Sequence, residues 1–228
     1  MTQMDLFSVT YEDVLKCDAV NAVKIEKPSN ISVPITEDKL PKVRFFDLET
    51  QLGSTDVGGW SDESVRKMRM SIGVLYCEPE NEFRVYTEDK VQELIEELFN
   101  SDVVIGFNNI WFDNTVLSAY TDRDLNSIPT IDMLADVKEL LPHRLKLDQI
   151  AHACFPEGGG KSADGLMALQ WWKEGKVDKI AEYCKQDVAV TRDVYKYGVE
   201  NKQIKYEQKF GTKTLAVDWK IRKNGAVI

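Results

Sequence analysis

Features of membrane and secreted proteins are missing from this sequence. It has no apolar run of transmembrane length, and its first residues lack the basic segment of a signal peptide. Its four cysteines are widely scattered and form no Cys-x-x-Cys pair, which argues against a zinc site and a disulfide framework. We therefore expect a cytoplasmic protein that makes no contact with a membrane.

Positive charge is also scarce. The chain has 29 basic and 38 acidic residues, a net charge of -9, whereas proteins that hold nucleic acid by diffuse electrostatics usually have a basic excess. If this protein acts on DNA or RNA, it must hold the phosphates through bound metal and a few local contacts. With 43% hydrophobic residues, its 228 residues can still bury the core of one large domain.

The order of the predicted elements is typical of an α/β fold with a mixed sheet. A meander of three antiparallel strands comes first, and parallel strands alternating with flanking helices follow. The expected strands span about 43–48, 68–76, 82–87, 102–105 and 130–133. One expected helix follows the cap at 87–89 and ends at 99, and the others span about 111–120, 135–140, 147–153, 163–173 and 177–200. We expect a loop over 51–64, which contains three glycines.

We predict three parts along the chain. Residues 1–41 form an N-terminal extension, and residues 42–200 form the α/β domain. Residues 201–228 contain a C-terminal β-hairpin with its turn at 211–213, packed on the domain or appended to it.

The first strand ends in two acids, Asp47 and Glu49. Because side chains in a strand alternate with a period of two, both carboxylates should point to the same face. Two neighbouring carboxylates raise each other's pKa unless a cation lies between them. This pair therefore raises the question of which positive charge belongs there.

Two further acids are placed to join this pair. Asp113 lies in the first turn of a helix that follows a buried strand, and open α/β sheets place their sites at such strand ends. Asp187 lies at the edge of the apolar stripe of the helix over 177–200. Tyr183, four residues earlier, lies on the same helix face.

Four acids without histidine or cysteine favour Mg²⁺ or Mn²⁺ over zinc. Two such ions about 3.5–4 Å apart are used for in-line displacement at phosphorus. Each residue alone also has a simpler interpretation: a solvated strand edge, an acid in a first helical turn, or a polar pair on a helix. Only their joint occurrence favours a metal site. Gly158-Gly159-Gly160-Lys161-Ser162 fails the spacing of a phosphate-binding loop, so a flexible loop before a helix is the better interpretation. Lys161 in this loop is a candidate contact to a substrate phosphate.

Three segments resemble the motifs of the DEDD 3′–5′ exonucleases, which have a ribonuclease H-like fold. They are 46–50 (FDLET), 109–113 (NIWFD) and 183–187 (YCKQD), and the resemblance covers about residues 43–197. Tyr183 marks the DEDDy branch, which is similar to the proofreading exonucleases of family B DNA polymerases and to ribonuclease D. The other branch has histidine where this chain has Glu182.

The resemblance implies a role for each site residue. Asp47 would bridge two Mg²⁺ or Mn²⁺ ions, Glu49 and Asp187 would hold the ion on the nucleophile side, and Asp113 would act on the second ion. Tyr183 would place the attacking water. Thr50, Asn109 and, from the glycine-rich segment, Lys161 are further candidates for contact with the substrate.

Gly106 lies one residue earlier than the glycine of many family members, so we expect a strand-to-helix turn one residue longer. The implied activity is hydrolysis of DNA or RNA from a single-stranded 3′ end, with a helicase or polymerase as a partner in trans. The alternatives are a non-catalytic module that binds nucleic acid or docks onto a helicase or polymerase, and an endonuclease of the same fold.

Overall fold

A computed structural model describes residues 40–157, 165–209, 211–223 and 226–227. Nearly all of the predicted N-terminal extension lies outside these residues, as does Lys161 with its glycine-rich segment. Among the helices of the described residues, none has the length and apolar character needed to cross a bilayer.

A five-stranded mixed sheet forms the centre of the domain, in the order β3-β2-β1-β4-β5. The first three strands form the expected antiparallel meander, and β4 and β5 extend the sheet in parallel from β1. The strands are β1 (Val43–Thr50), β2 (Met70–Glu78), β3 (Glu82–Thr87), β4 (Val103–Gly106) and β5 (Thr130–Asp132). This confirms the predicted α/β class and sheet.

β1 lies in the middle of the sheet because its side chains are apolar on both faces. Phe45 packs into the core on one face and Phe46 into the core on the other, and both are fully buried. A strand covered on both faces reads as a continuous apolar run. Only Asp47 and Glu49 interrupt the burial of β1, and they do so near its end.

Helices cover both faces of the sheet. They are α1 (Ser54–Val57), α2 (Asp62–Arg66), α3 (Val91–Phe99), α4 (Asp113–Leu117), α5 (Met133–Leu140), α6 (Leu147–Cys154), α7 (Gly165–Lys173) and α8 (Val177–Asn201). The long helix α8 packs on the Phe45 face, and α3 packs on the Phe46 face. Gly73 in β2 lets α3 approach, because a Cβ there would lie 2.7 Å from the Leu94 side chain.

Two predicted boundaries are wrong in informative ways. The expected loop over 51–64 contains α1 and the start of α2, where Ser61 caps α2 by accepting a hydrogen bond from the Ser64 backbone at 3.2 Å. The helix expected over 111–120 is shorter and begins at Asp113. Short helices are decided by local caps, which hydrophobic periodicity does not detect.

The C-terminal hairpin is present as β6 (Gln203–Gln208) and β7 (Gly211–Ala216), so its turn comes earlier than the expected 211–213. After the hairpin, Trp219 returns to the domain. Its ring stacks on Tyr195, whose hydroxyl donates a hydrogen bond to the Trp219 carbonyl at 2.7 Å. Two short strands, β8 (Arg222–Lys223) and β9 (Ala226–Val227), pair near the end of the chain.

Candidate functional site

A cleft of about 1210 Å³ opens beside the end of β1. The five residues predicted to perform the chemistry all line it: Asp47, Glu49, Asp113, Tyr183 and Asp187. The end of β1 and two helices therefore bring these five side chains to one cleft.

Asp47 and Glu49 share a face of β1, as the period of two requires. Phe45 lies on that same face and packs in the core that contains α8. The two carboxylates thus point towards α8, and each stays partly exposed to the cleft while Leu48 between them is buried.

Three of the carboxylates form a compact group. Asp47, Glu49 and Asp187 each offer an oxygen, and these oxygens lie within 4.8 Å of one another. Ligands on opposite sides of a Mg²⁺ ion are about 4.2 Å apart, because each oxygen lies about 2.1 Å from the metal. A set of carboxylate oxygens at this spacing fits a hard divalent cation such as Mg²⁺ or Mn²⁺.

Asp113 lies beside this group and is bound to the backbone of β1. The parallel pairing between β1 and β4 ends at Phe45, so the following backbone groups on that edge need other partners. The Leu48 N–H donates to Asp113 Oδ1 at 3.1 Å. Burial raises the pKa of the Asp113 carboxyl well above its usual range, and the neighbouring charges of Asp47 and Asp132 raise it further.

Asn109 completes the same edge. Its Nδ2 donates to the Phe46 carbonyl at 3.0 Å, so the turn before α4 is joined to β1 by two side chains. Gly106 is required for this arrangement, because a Cβ there would overlap Asn109 Oδ1 at 1.4 Å. Asn109 is almost fully buried, and its observed contact is with β1. Its contact with substrate stays a prediction.

Asp132 holds the turn that carries Asn109 and Asp113. Its carboxylate caps α5, and it also accepts from the backbone N–H groups of Asn108 at 2.7 Å and Ile110 at 3.1 Å. Asn108 takes a φ of 80°, and this left-handed residue provides a tight change of direction in the turn. The second function of Asp132 depends on residues 22 and 24 positions away, so the sequence pattern could not show it.

Cys184 lies beside the carboxylates, and the sequence reasoning did not select it as a site residue. Its thiol lies 3.4 Å from the Asp47 carbonyl and 3.6 Å from Asp47 Oδ2, as a donor to both. Burial raises the pKa of this thiol well above its usual range, and the surrounding carboxylates, first Asp47, raise it further. Cys184 therefore stays protonated and can donate. The sequence feature that could have identified Cys184 was its position on the same helix as Asp187, three residues before it.

Tyr183 is nearly fully buried and reaches the cleft from α8, one helical turn before Asp187. The ring of Trp171 in α7 packs edge-on against it, with 6.1 Å between the ring centroids. This contact restricts the orientation of the phenol.

The predicted substrate contacts have different outcomes. Thr50 lines the cleft, and its hydroxyl donates to the Leu52 carbonyl at 3.0 Å. Lys161 lies outside the described residues. The cleft is also lined by Trp60, Arg144 and Lys146, which the sequence reasoning did not select because nothing local marks them.

Comparison with known proteins supports one family. Residues 44–199 match the RNase H superfamily, which is more than half of the chain. No curated protein sequence matches significantly.

Among solved structures, the chain is similar to the family B DNA polymerase from the hyperthermophilic archaeon Pyrobaculum calidifontis, with a TM-score of 0.53 and 16% identity. The match covers 70% of this chain and 24% of the polymerase, so it supports the fold alone. The mixed sheet, the flanking helices and the match over residues 44–199 agree, and the chain belongs to the RNase H superfamily.

Proposed function

We propose that this protein is a metal-dependent 3′–5′ exonuclease that hydrolyses phosphodiester bonds of DNA or RNA from the 3′ end. The observation that supports this most directly is the convergence of Asp47, Glu49 and Asp187, whose oxygens lie within 4.8 Å of one another in an open cleft. Like charges at this distance repel unless a cation joins them.

Four carboxylates of the chain would hold two divalent ions. Asp47 would bridge the two positions, Glu49 and Asp187 would hold one, and Asp113 would hold the other. When bound, Mg²⁺ or Mn²⁺ supplies an acidified water and stabilises charge on the leaving oxygen. The Cys184 thiol donates to the Asp47 carboxylate, and the Leu48 N–H donates to that of Asp113, so both carboxylates have protein donors that help to orient them.

Tyr183 would orient the attacking water through its hydroxyl. Tyr183 lines the cleft, is nearly fully buried, and packs edge-on against the Trp171 ring, which restricts the orientation of its phenol. A group that is already positioned loses little entropy when the reaction occurs.

The direction and the exonuclease mode are inferred from the three motifs that resemble DEDDy exonucleases. The similarity to a family B DNA polymerase, of which this chain spans about a quarter, is consistent with work beside a polymerase or helicase supplied in trans. We include such a partner in the proposal.

The test is product analysis on DNA and RNA strands labelled at the 5′ end, with Mg²⁺ or Mn²⁺. We expect shortening from the 3′ end with release of 5′-monophosphates. Asp47→Ala and Asp187→Asn should each lower the rate at least about 10²-fold, because each removes charge that holds the metal or stabilises the transition state. Lys90→Ala, at an exposed lysine that does not line the cleft, is the control.

Tyr183→Phe separates chemistry from metal binding. We expect a lower kcat with unchanged metal affinity, and an equal loss of both would assign the tyrosine a structural role. Internal cleavage of a strand blocked at its 3′ end would identify an endonuclease instead. Binding without any metal-dependent cleavage would identify a docking module, and undiminished cleavage by Asp187→Asn would refute the site.

A further inference from the structure

The cleft extends well beyond the carboxylates that would hold metal. Part of its wall is the segment before α6, where Arg144 and Lys146 line the cleft. Their neighbours Leu145 and Leu147 are buried in the core. This alternation anchors the segment through its leucines and leaves the two cationic side chains exposed at the cleft.

These two cations are unusual in a chain with a net charge of -9. Among the described residues that line the cleft, no other side chain is basic. Within the part of the chain that the structure describes, neither Arg144 nor Lys146 forms an ion pair, whereas Arg44, Arg69 and Arg84 each do. Two uncompensated positive charges beside a group of acids are suited to a ligand that carries phosphates.

Another part of the cleft has an exposed aromatic ring. Trp60 lines the cleft, with 59% of its surface exposed. Its ring centroid lies 6.2 Å from those of Trp111 and Phe112, and Phe112 directly precedes Asp113. Exposed aromatic faces of this kind stack with nucleobases whatever their sequence.

The turn before Trp60 depends on two glycines. Gly58 and Gly59 have φ values of 87° and 125°, a region that side chains other than glycine rarely adopt. A Cβ at either position would meet nothing within 4 Å, so these glycines are needed for the backbone conformation and not for space. Trp60 thus follows a turn whose backbone conformation depends on glycine.

We propose that Trp60, Arg144 and Lys146 form a binding track for an unpaired nucleic-acid strand, upstream of the 3′ nucleotide that is removed. Arg144 and Lys146 contact two backbone phosphates, and Trp60 stacks on a base. This inference rests on the proposed function for the identity of the ligand, and it makes the single-stranded end the preferred substrate. A base that is paired in a duplex has its faces stacked on its neighbours and cannot stack on Trp60.

The salt dependence of binding tests the cationic part of the track. We would measure the affinity of a fluorescent 12-nucleotide strand by anisotropy in the Asp187→Asn background, so that the strand stays intact. Each phosphate contact contributes about 0.7 to the slope of log affinity against log salt for single strands. The double variant Arg144→Ala with Lys146→Ala should therefore make this slope less steep, by roughly 1.4 in magnitude.

The matched control is Lys90→Ala with Lys179→Ala, which removes the same charge from exposed positions that do not line the cleft. Its slope should equal that of the parent. Equal slopes for the cleft pair and the control pair would overturn the phosphate contacts.

Trp60→Ala tests the stacking contact. We expect affinity for the strand to fall roughly 5- to 150-fold, the equivalent of one base stack, with the salt slope unchanged. Leu140→Ala, which removes another exposed apolar side chain that does not line the cleft, should have no such effect. Equal affinities of Trp60→Ala and Leu140→Ala, or equal binding of a blunt duplex and a single strand, would overturn the track.

A second assay separates this proposal from the proposed function. The p-nitrophenyl ester of thymidine 5′-monophosphate has one nucleotide and no upstream phosphate, so its hydrolysis by the unmodified protein with Mn²⁺ reports only on the metal site. Absence of that hydrolysis would count against the exonuclease. The salt slope would still decide whether the cleft holds a strand.

Discussion

The two ends of β1 differ in the charges that surround a buried ionisable side chain. Near the start of the strand, Arg44 is almost fully buried and bonds Glu97 at 2.7 Å and Glu80 at 3.1 Å. Burial lowers the pKa of this guanidinium, but the bonds to Glu97 and Glu80 outweigh it, so the pKa is raised overall. At this end of the strand, the buried positive charge is therefore neutralised by carboxylates of the protein itself.

At the other end, Asp113 is equally buried, but burial and the nearby carboxylates all act in the same direction. They raise the pKa of its carboxyl well above its usual range, opposed only by bonds from backbone N–H groups such as that of Leu48. In the described residues, Asp113 has no ion pair. The first end is a structural ion network, whereas the second end gathers several carboxylates, which fits the divalent cation that we propose there.

The largest expected effect is on the structural end. Arg44→Ala should lower the free energy of unfolding by about 3 kcal/mol, because it breaks a buried ion network and leaves Glu97 and Glu80 with fewer donors. Arg84→Ala, which removes a partly exposed partner of the same glutamates, should cost less than about 1 kcal/mol. Urea denaturation measures both. Equal losses would show that the burial of Arg44 does not distinguish it.

Bound metal should stabilise the protein through the carboxylates near the end of β1, independently of the Arg44 network. If the carboxylates bind Mg²⁺ or Mn²⁺, a concentration 100 times the dissociation constant stabilises the protein by about 2.7 kcal/mol. The melting temperature should therefore rise by several degrees at millimolar metal. Arg44→Ala should keep this increment although it melts at a lower temperature, and Asp187→Asn should lose most of it. An unchanged melting temperature in the parent protein would remove the distinction between the two ends.

The smallest effect concerns Asp113 in the metal-free protein. Its folded-state pKa is raised, so its ionised form opposes folding, and stability should fall as pH rises from its unfolded pKa, about 4, through the folded value. Asp113→Asn keeps an acceptor for the Leu48 N–H and should flatten this pH dependence, with a gain of about 1 kcal/mol at neutral pH.

Asp122→Asn is the control for this measurement, because Asp122 is exposed and should show no comparable change. Denaturation in a chelator at several pH values is the measurement. A pH dependence identical in Asp113→Asn and the parent would contradict the assigned cause.

Much of the site followed from local periodicity. The period of two placed Asp47 and Glu49 on one face, and the spacing of four placed Tyr183 and Asp187 on one face of α8. The order of strands and helices also predicted the sheet correctly, because apolar patterns with periods of 2 and 3.6 extend over many residues. The roles of these residues in catalysis stay predictions.

Other features depend on partners that are distant in the chain. The left-handed turn at Asn108, the support from Asp132 and the thiol of Cys184 each involve a contact that local pattern does not contain. Sequence reasoning also expected a loop before α2, because three glycines outweighed the local cap at Ser61.

The sequence by itself determined that this chain has an α/β sheet, that β1 ends in two acids on one face, and that two further acids follow strand or helix positions able to reach them. Only the tertiary structure decided that β1 extends past β4, so that its free backbone groups hold Asp113 and Asn109. It also decided that Arg144, Lys146 and Trp60 share the cleft with the acids. The physical reason is that side-chain period is a property of neighbours along the chain, whereas an unpaired strand edge and a shared cleft exist only once distant segments pack together.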